Sequence, residues 1–176
     1  MHGYSAQLLE QDFSDVYREL APRILRYLMR FCGDWDMAEE LLQETFLAMY
    51  AHRASFQGRC SPATWAYKIA TNKLVDRRRN AWSKVDADSE HVETIICSSP
   101  DPEKQTIMDE DVRRLQKALE ELPAKQKSAL FLVRFEGLKY REAAEVLDVS
   151  LSTVRMRVYY GLLALKRSLG ESSNDV

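Results

Sequence analysis

Two stretches of the chain carry side chains suited to a partner with regularly spaced negative charge. From Trp65 to Lys84, six basic residues (Lys68, Lys73, Arg77, Arg78, Arg79 and Lys84) stand against one acid, Asp76. Trp65, Tyr67 and Trp82 interleave with them. Cationic side chains neutralise phosphates, and aromatic faces stack on unpaired bases at about 1–3 kcal/mol each. The same composition would also describe a solvated helix face with one or two core aromatics. The second stretch offers Ser152, Thr153, Arg155, Met156, Arg157, Tyr159 and Tyr160 immediately after a tight turn. Arginine there could pair with guanine in a bidentate fashion, at about 1–3 kcal/mol of discrimination. Catalysis has no comparable signature. There is no G-x-S-x-G, no Gly-rich phosphate loop and no H-E-x-x-H. Cys32, Cys60 and Cys97 are widely spaced, as are His2, His52 and His91. The expectation is no disulfide framework, no metal, no cofactor and no enzymatic activity.

The elements that must position these residues read as helices. Phe13, Val16, Leu20, Ile24, Tyr27, Leu28 and Phe31 recur at three- and four-residue steps and share one face. Gly33 supplies a stop. Asp36 is expected to open a second helix, with Glu39 completing a capping box. Along it Leu41, Thr45 and Met49 form one stripe, and Leu42, Phe46 and Tyr50 a neighbouring one. That apolar surface exceeds what one core face requires. Ser61-Pro62 then signals a capped third helix running through Arg79. Farther on, Pro123 precedes a helix holding Ala129, Leu130, Leu132, Val133 and Phe135, which Gly137 ends. Tyr140 to Leu147 reads as a short helix with Ala143, Ala144 and Leu147 inward. Asp148 to Leu151 is the turn. Ser152 is expected to cap a longer helix with Val154, Val158, Leu162, Leu165 and Leu169 inward. A short helix, a tight turn and a second helix with a basic N-terminal face is the helix-turn-helix arrangement. The fold class expected is all-α, in two small helical domains.

Charge divides the chain the same way. Its 25 Lys and Arg nearly balance 27 Asp and Glu. Residues 1–85 nevertheless hold 12 basic and 10 acidic groups, residues 86–111 one and nine, and residues 112–176 12 and eight. Two mildly basic domains, 1–85 and 112–176, are thus joined by an acidic connector, 86–111. The connector has no aromatic residue and contains Pro100 and Pro102, so it reads as a flexible linker. No apolar run approaches the ~18 residues needed to span a bilayer. Met1 to Gln7 lacks the basic and apolar segments of a signal peptide. A cytoplasmic protein without membrane insertion is expected.

In this order, these residues resemble the extracytoplasmic-function class of bacterial RNA polymerase sigma factors. Asp36–Leu47 resembles the segment by which that family docks on the clamp helices of the polymerase β′ subunit. Trp65–Arg79 resembles its promoter-melting segment, and Leu122–Leu169 its minus-thirty-five reader. The resemblance implies core RNA polymerase as partner, through the β′ clamp helices and the β flap, together with promoter DNA and an anti-sigma factor. It implies docking through Asp36, Glu39, Glu40, Leu42, Gln43 and Phe46. It implies minus-ten contacts from Phe56, Arg59, Trp65, Lys68, Asn72, Arg77, Arg78 and Arg79, with Phe56, Arg59 and Asn72 around a flipped base. Minus-thirty-five contacts fall to the Ser152–Tyr160 set. Two positions depart from the family pattern. Asp148 stands where glycine is common in the turn, and Tyr160-Gly161-Leu162 replaces further basic residues. A stand-alone helix-turn-helix regulator is the alternative reading.

Overall fold

The computed structural model describes residues 13–82 and 110–171, whose regular structure is helical, with no strand among them. They belong to two compact units. In the first, α1 (Phe13–Cys32), α2 (Trp35–His52) and α3 (Pro62–Trp82) pack against one another, with a single 3-10 turn (Arg53–Ser55) after α2. The expected stripe of α1 is its core face: Val16, Leu20, Ile24, Tyr27, Leu28 and Phe31 are buried. Gly33 ends the helix at φ 66, its N–H reaching the Met29 carbonyl at 3.0 Å. A side chain would strain that left-handed backbone, so glycine suits the position.

The start of α2 differs from expectation. Asp34, not Asp36, is the cap, its carboxylate accepting the Met37 N–H at 2.7 Å. Gly33 turns the chain so abruptly that Asp34 is the residue left in extended conformation, and Asp36 already lies within the first turn. The second apolar stripe is also not surplus. Leu42 is 5% exposed and Phe46 4%, buried along with Leu41, Thr45 and Met49. The reason is topological: α2 touches both α1 and α3, so two stripes serve two neighbours. Phe46 meets the Tyr17 ring edge-on at 4.7 Å and the Phe13 ring at 6.3 Å.

At the centre, Tyr27 is fully enclosed and meets the equally enclosed Tyr67 ring edge-on at 5.4 Å. A phenol hydroxyl buried so deeply needs a partner. Tyr27 finds it in the Thr71 hydroxyl, 3.0 Å away on α3. Ser61 caps α3 as expected, accepting the Thr64 N–H at 3.0 Å ahead of Pro62. The helix continues three residues past the expected end at Arg79. Tyr67, expected among the interleaved surface aromatics, belongs to the core.

Residues 110–171 hold α4 (Glu110–Glu120), α5 (Ala124–Leu130), a π turn (Phe131–Phe135), α6 (Tyr140–Leu147) and α7 (Leu151–Glu171). Glu110 and Asp111, expected to close the acidic connector, are helical; most of 86–111 lies outside the described residues. The π turn widens the end of α5, so Phe135 leaves the phase of Leu130 and Leu132 and is 47% exposed. Gly137 follows at φ 73. On α6, Ala143 and Val146 are buried while Ala144 and Leu147 are half-buried, so the inward face is rotated by about one residue from expectation. On α7, Val154, Val158 and Leu165 are buried as expected, but Leu162 and Leu169 are exposed. Gly161 takes the inward place, against Gln126 and Leu130 of α5.

Burial makes Phe46 and Leu47 a matched pair of neighbours with opposite roles. Phe46→Ala should cost about 3–5 kcal/mol of stability, and Leu47→Ala less than about 0.5 kcal/mol. Urea unfolding followed by circular dichroism measures both. Equal costs would place Phe46 on the surface after all.

Candidate nucleic-acid and protein interfaces

With the core of the first unit accounted for, its surface sorts into three zones. On α2, Asp36, Glu39, Glu40 and Gln43 are exposed, as expected for a polar rim. The apolar residues open beside them are Trp35, Met37, Leu47 and Tyr50, with Leu47 the most exposed at 69%. Leu42 and Phe46 lie beneath this surface and cannot be touched without opening the core. Sequence reasoning missed Leu47 because its stripes were assigned without knowing that α2 has two neighbours.

On α3, the buried residues Ala66, Tyr67, Ala70, Thr71 and Leu74 turn Lys68, Asn72, Val75, Asp76 and Arg79 outward. Between these zones runs a seam of ion pairs. Lys73 Nζ lies 2.8 Å from Glu44 Oε2, and Arg77 pairs with Glu40. Two residues expected to serve separate partners, Glu40 and Arg77, therefore neutralise each other in the free chain. Arg79 pairs locally with Asp76 at 3.2 Å. The side chain of Arg78 lies outside the described residues.

The loop before α3 adds an aromatic wall. Phe56 stacks on Trp65 with ring centroids 4.7 Å apart and planes 24° from parallel. Both are half-buried, and Arg59 beside them is exposed. Gly58 at φ 66 makes the bend between them. The structure thus joins Phe56 and Trp65 to each other.

Farther along the chain, α6 and α7 form the expected helix-turn-helix. Asp148 occupies the turn at φ 52, the only non-glycine with positive φ among the described residues. Asp tolerates this conformation better than most residues, though less well than glycine. The Val149 N–H closes the turn on the Ala144 carbonyl at 3.1 Å. Ser150, not Ser152, caps α7. Its hydroxyl accepts the Thr153 N–H at 3.1 Å and lies 2.8 Å from the hydroxyls of both Ser152 and Thr153. The cap falls two residues earlier because Asp148, in the left-handed conformation, already completes the reversal. Ser152, Arg155, Met156, Tyr159 and Tyr160 are exposed, while Thr153 and Arg157 are half-buried. The expected outward face is therefore present.

Two family models match the chain: Sigma-70 region 2 over residues 16–84, and Sigma-70, region 4 over residues 112–165. The RNA polymerase sigma-H factor of Pseudomonas aeruginosa is 33% identical over 155 residues, spanning 84% of this chain and 80% of that protein. The chain belongs to the ECF RNA polymerase sigma factors. The ECF RNA polymerase sigma factor SigE of Mycolicibacterium smegmatis is 31% identical over 167 residues, covering 93% of this chain but only 63% of SigE. Among solved structures, the chain shares the fold of the sigma factor RpoE from Bartonella quintana, solved with the anti-sigma factor NepR. That likeness has a TM-score of 0.71 at 22% identity, covering 94% of this chain and 99% of that one. Residues 16–84 are thus sigma region 2 and residues 112–165 sigma region 4. Among the described residues, no helix is long and apolar enough to cross a membrane.

The ion-pair seam of region 2 is half-exposed, so it should contribute little to stability. A double-mutant cycle with Glu40→Ala and Arg77→Ala should give a coupling of about 0.2–1 kcal/mol that fades as salt is raised. A coupling several times larger, insensitive to salt, would make the pair a structural element instead of a surface contact.

Proposed function

We propose that this sigma factor directs core RNA polymerase to a defined set of promoters and helps to open them, leaving the chemistry to the polymerase. The observation that carries this reading is the presence in one chain, in order, of regions 2 and 4. Each presents an outward basic helix, and region 2 adds an acidic and apolar face beside it. A stand-alone repressor would have no use for that face.

On this reading the α2 surface docks on the polymerase β′ clamp helices. Asp36, Glu39, Glu40 and Gln43 form the polar rim, and exposed Leu47 supplies the apolar contact that Leu42 and Phe46, being buried, cannot. The wall of Phe56 and Trp65, with Arg59 and Asn72, receives an unpaired base of the minus-ten element. Lys68, Arg78 and Arg79 meet phosphates, joined by Arg77 when Glu40 turns to the polymerase. Region 4 reads the minus-thirty-five element through α7 and approaches the β flap. The protein works in the cytoplasm and is restrained by an anti-sigma factor, as RpoE is bound by NepR.

Gel filtration with purified core polymerase, followed by transcription from promoter fragments, tests the reading. A stable complex with promoter-dependent initiation supports it; tight operator binding by the isolated protein, without polymerase contact, overturns it. Leu47→Asp should weaken the complex at least tenfold while leaving the circular dichroism spectrum unchanged. Asn72→Ala or Arg59→Ala should leave recruitment intact and reduce permanganate-reactive thymines at the start site. Normal opening in both variants would remove Arg59 and Asn72 from the melting segment.

The two arginines of α7 project about 200° apart and cannot share one base pair. Arg155, fully outward, is the base reader, and half-buried Arg157 a backbone contact. Arg155→Ala should cost about 1–3 kcal/mol on the preferred sequence and relax choice at one position. Arg157→Ala should weaken all sequences alike and lower the salt slope by about 0.9. Promoter variants assayed at two salt concentrations separate these outcomes, and a reversed pattern would exchange the roles.

A further inference from the structure

The centre of the region 4 reading face is not basic. Met156 is 59% exposed, Tyr159 63% and Tyr160 50%. At about 100° per residue, Tyr159 and Tyr160 lie about 60° and 40° to either side of Met156. Arg155 and Arg157 flank it at about 100° on opposite sides. The Tyr159 and Tyr160 rings meet edge-on with centroids 5.4 Å apart, so the two brace each other. A helix seated in the major groove therefore turns a thioether and two aromatic rings to the bases, with cations along the margins.

We propose that Met156 and Tyr159 are specificity-determining residues that read the 5-methyl group of a thymine in the minus-thirty-five element. This inference rests on the promoter-reading role of region 4 argued above. Of the groups on the floor of the major groove, the thymine methyl is the apolar one, and apolar side chains select it by contact. Amino and carbonyl edges give Met156 nothing comparable, since a thioether is only a weak acceptor. Of the flanking arginines, Arg157 complements backbone phosphates on one side, and Arg155 on the other reaches the electronegative edge of a neighbouring base. That charge pattern favours DNA as the occupant of this face over an apolar protein surface, which would leave both cations without partners.

Deoxyuridine differs from thymidine in bases only by that methyl, which makes the test direct. Holoenzyme assembled from core polymerase and the full chain is first used to select its preferred promoter. Each thymine of the minus-thirty-five element, on either strand, is then replaced singly by deoxyuridine. At one or two positions affinity should fall about fourfold, the equivalent of ~0.8 kcal/mol for one buried carbon. In Met156→Ala or Tyr159→Ala holoenzyme, thymidine and deoxyuridine promoters should bind alike. Both side chains are exposed, so neither change threatens folding, and an unchanged unfolding transition verifies this. The inference is overturned if the selected element holds no thymine, if no replacement matters, or if the difference survives in both variants. A holoenzyme that selects no promoter at all would overturn the sigma-factor role itself, which is a separate failure.

Discussion

The orientation of region 2 hangs on the hydroxyl of Tyr27. Its ring is sealed between helices, and its one polar atom is met by Thr71 across the α1–α3 seam. Leaving that oxygen unpaired would cost about 1–3 kcal/mol, so the seam favours the rotation of α3 that brings Thr71 to it. With Thr71 and Tyr67 turned inward, the spacing of a helix turns Lys68, Asn72, Val75 and Arg79 outward. A buried hydrogen bond thus decides which side chains of the basic helix can reach a partner. Region 4 has its counterpart in the Ser150 cap and the Asp148 turn, which fix the phase in which α7 leaves the bend.

Between the exposed faces of α2 and α3 lies a row of paired charges. Glu40 and Glu44 hold Arg77 and Lys73 while the chain is alone. Such pairs are weak and half-exposed, so exchanging them for polymerase or phosphate costs little. The free chain keeps its cations occupied without locking them.

Much of this was legible in the sequence because local rules and tertiary packing agree. The α1 stripe, the Gly33 stop, the Ser61-Pro62 start and the Asp148 turn all rest on backbone and capping chemistry that acts within a few residues. Most of the differences lie where a neighbour decides. Leu42 and Phe46 read as a spare surface because nothing along the chain shows that α2 packs against two helices at once. Gly161 stands out in the sequence only as a departure from the family pattern, and Leu162 reads as inward, because three- and four-residue steps are equivalent until the position of α5 chooses between them. The caps at Asp34 and Ser150 fall two residues early for a local reason: left-handed backbone at Gly33 and Asp148 completes each turn early. Family resemblance carried the order of the functional segments, whereas the residues open to contact came only from packing.

On the proposed reading, two outward helix faces on one chain, set by the Tyr27–Thr71 bond in region 2 and by the turn and cap of α7 in region 4, act together on one promoter through the polymerase. Mapping every start site produced on fragmented genomic DNA by core polymerase plus this protein addresses it most directly. The start sites should share two upstream sequence boxes at a single, constant separation, and should vanish when the protein is omitted. Start sites sharing only one box, or boxes at variable separation, would contradict that reading.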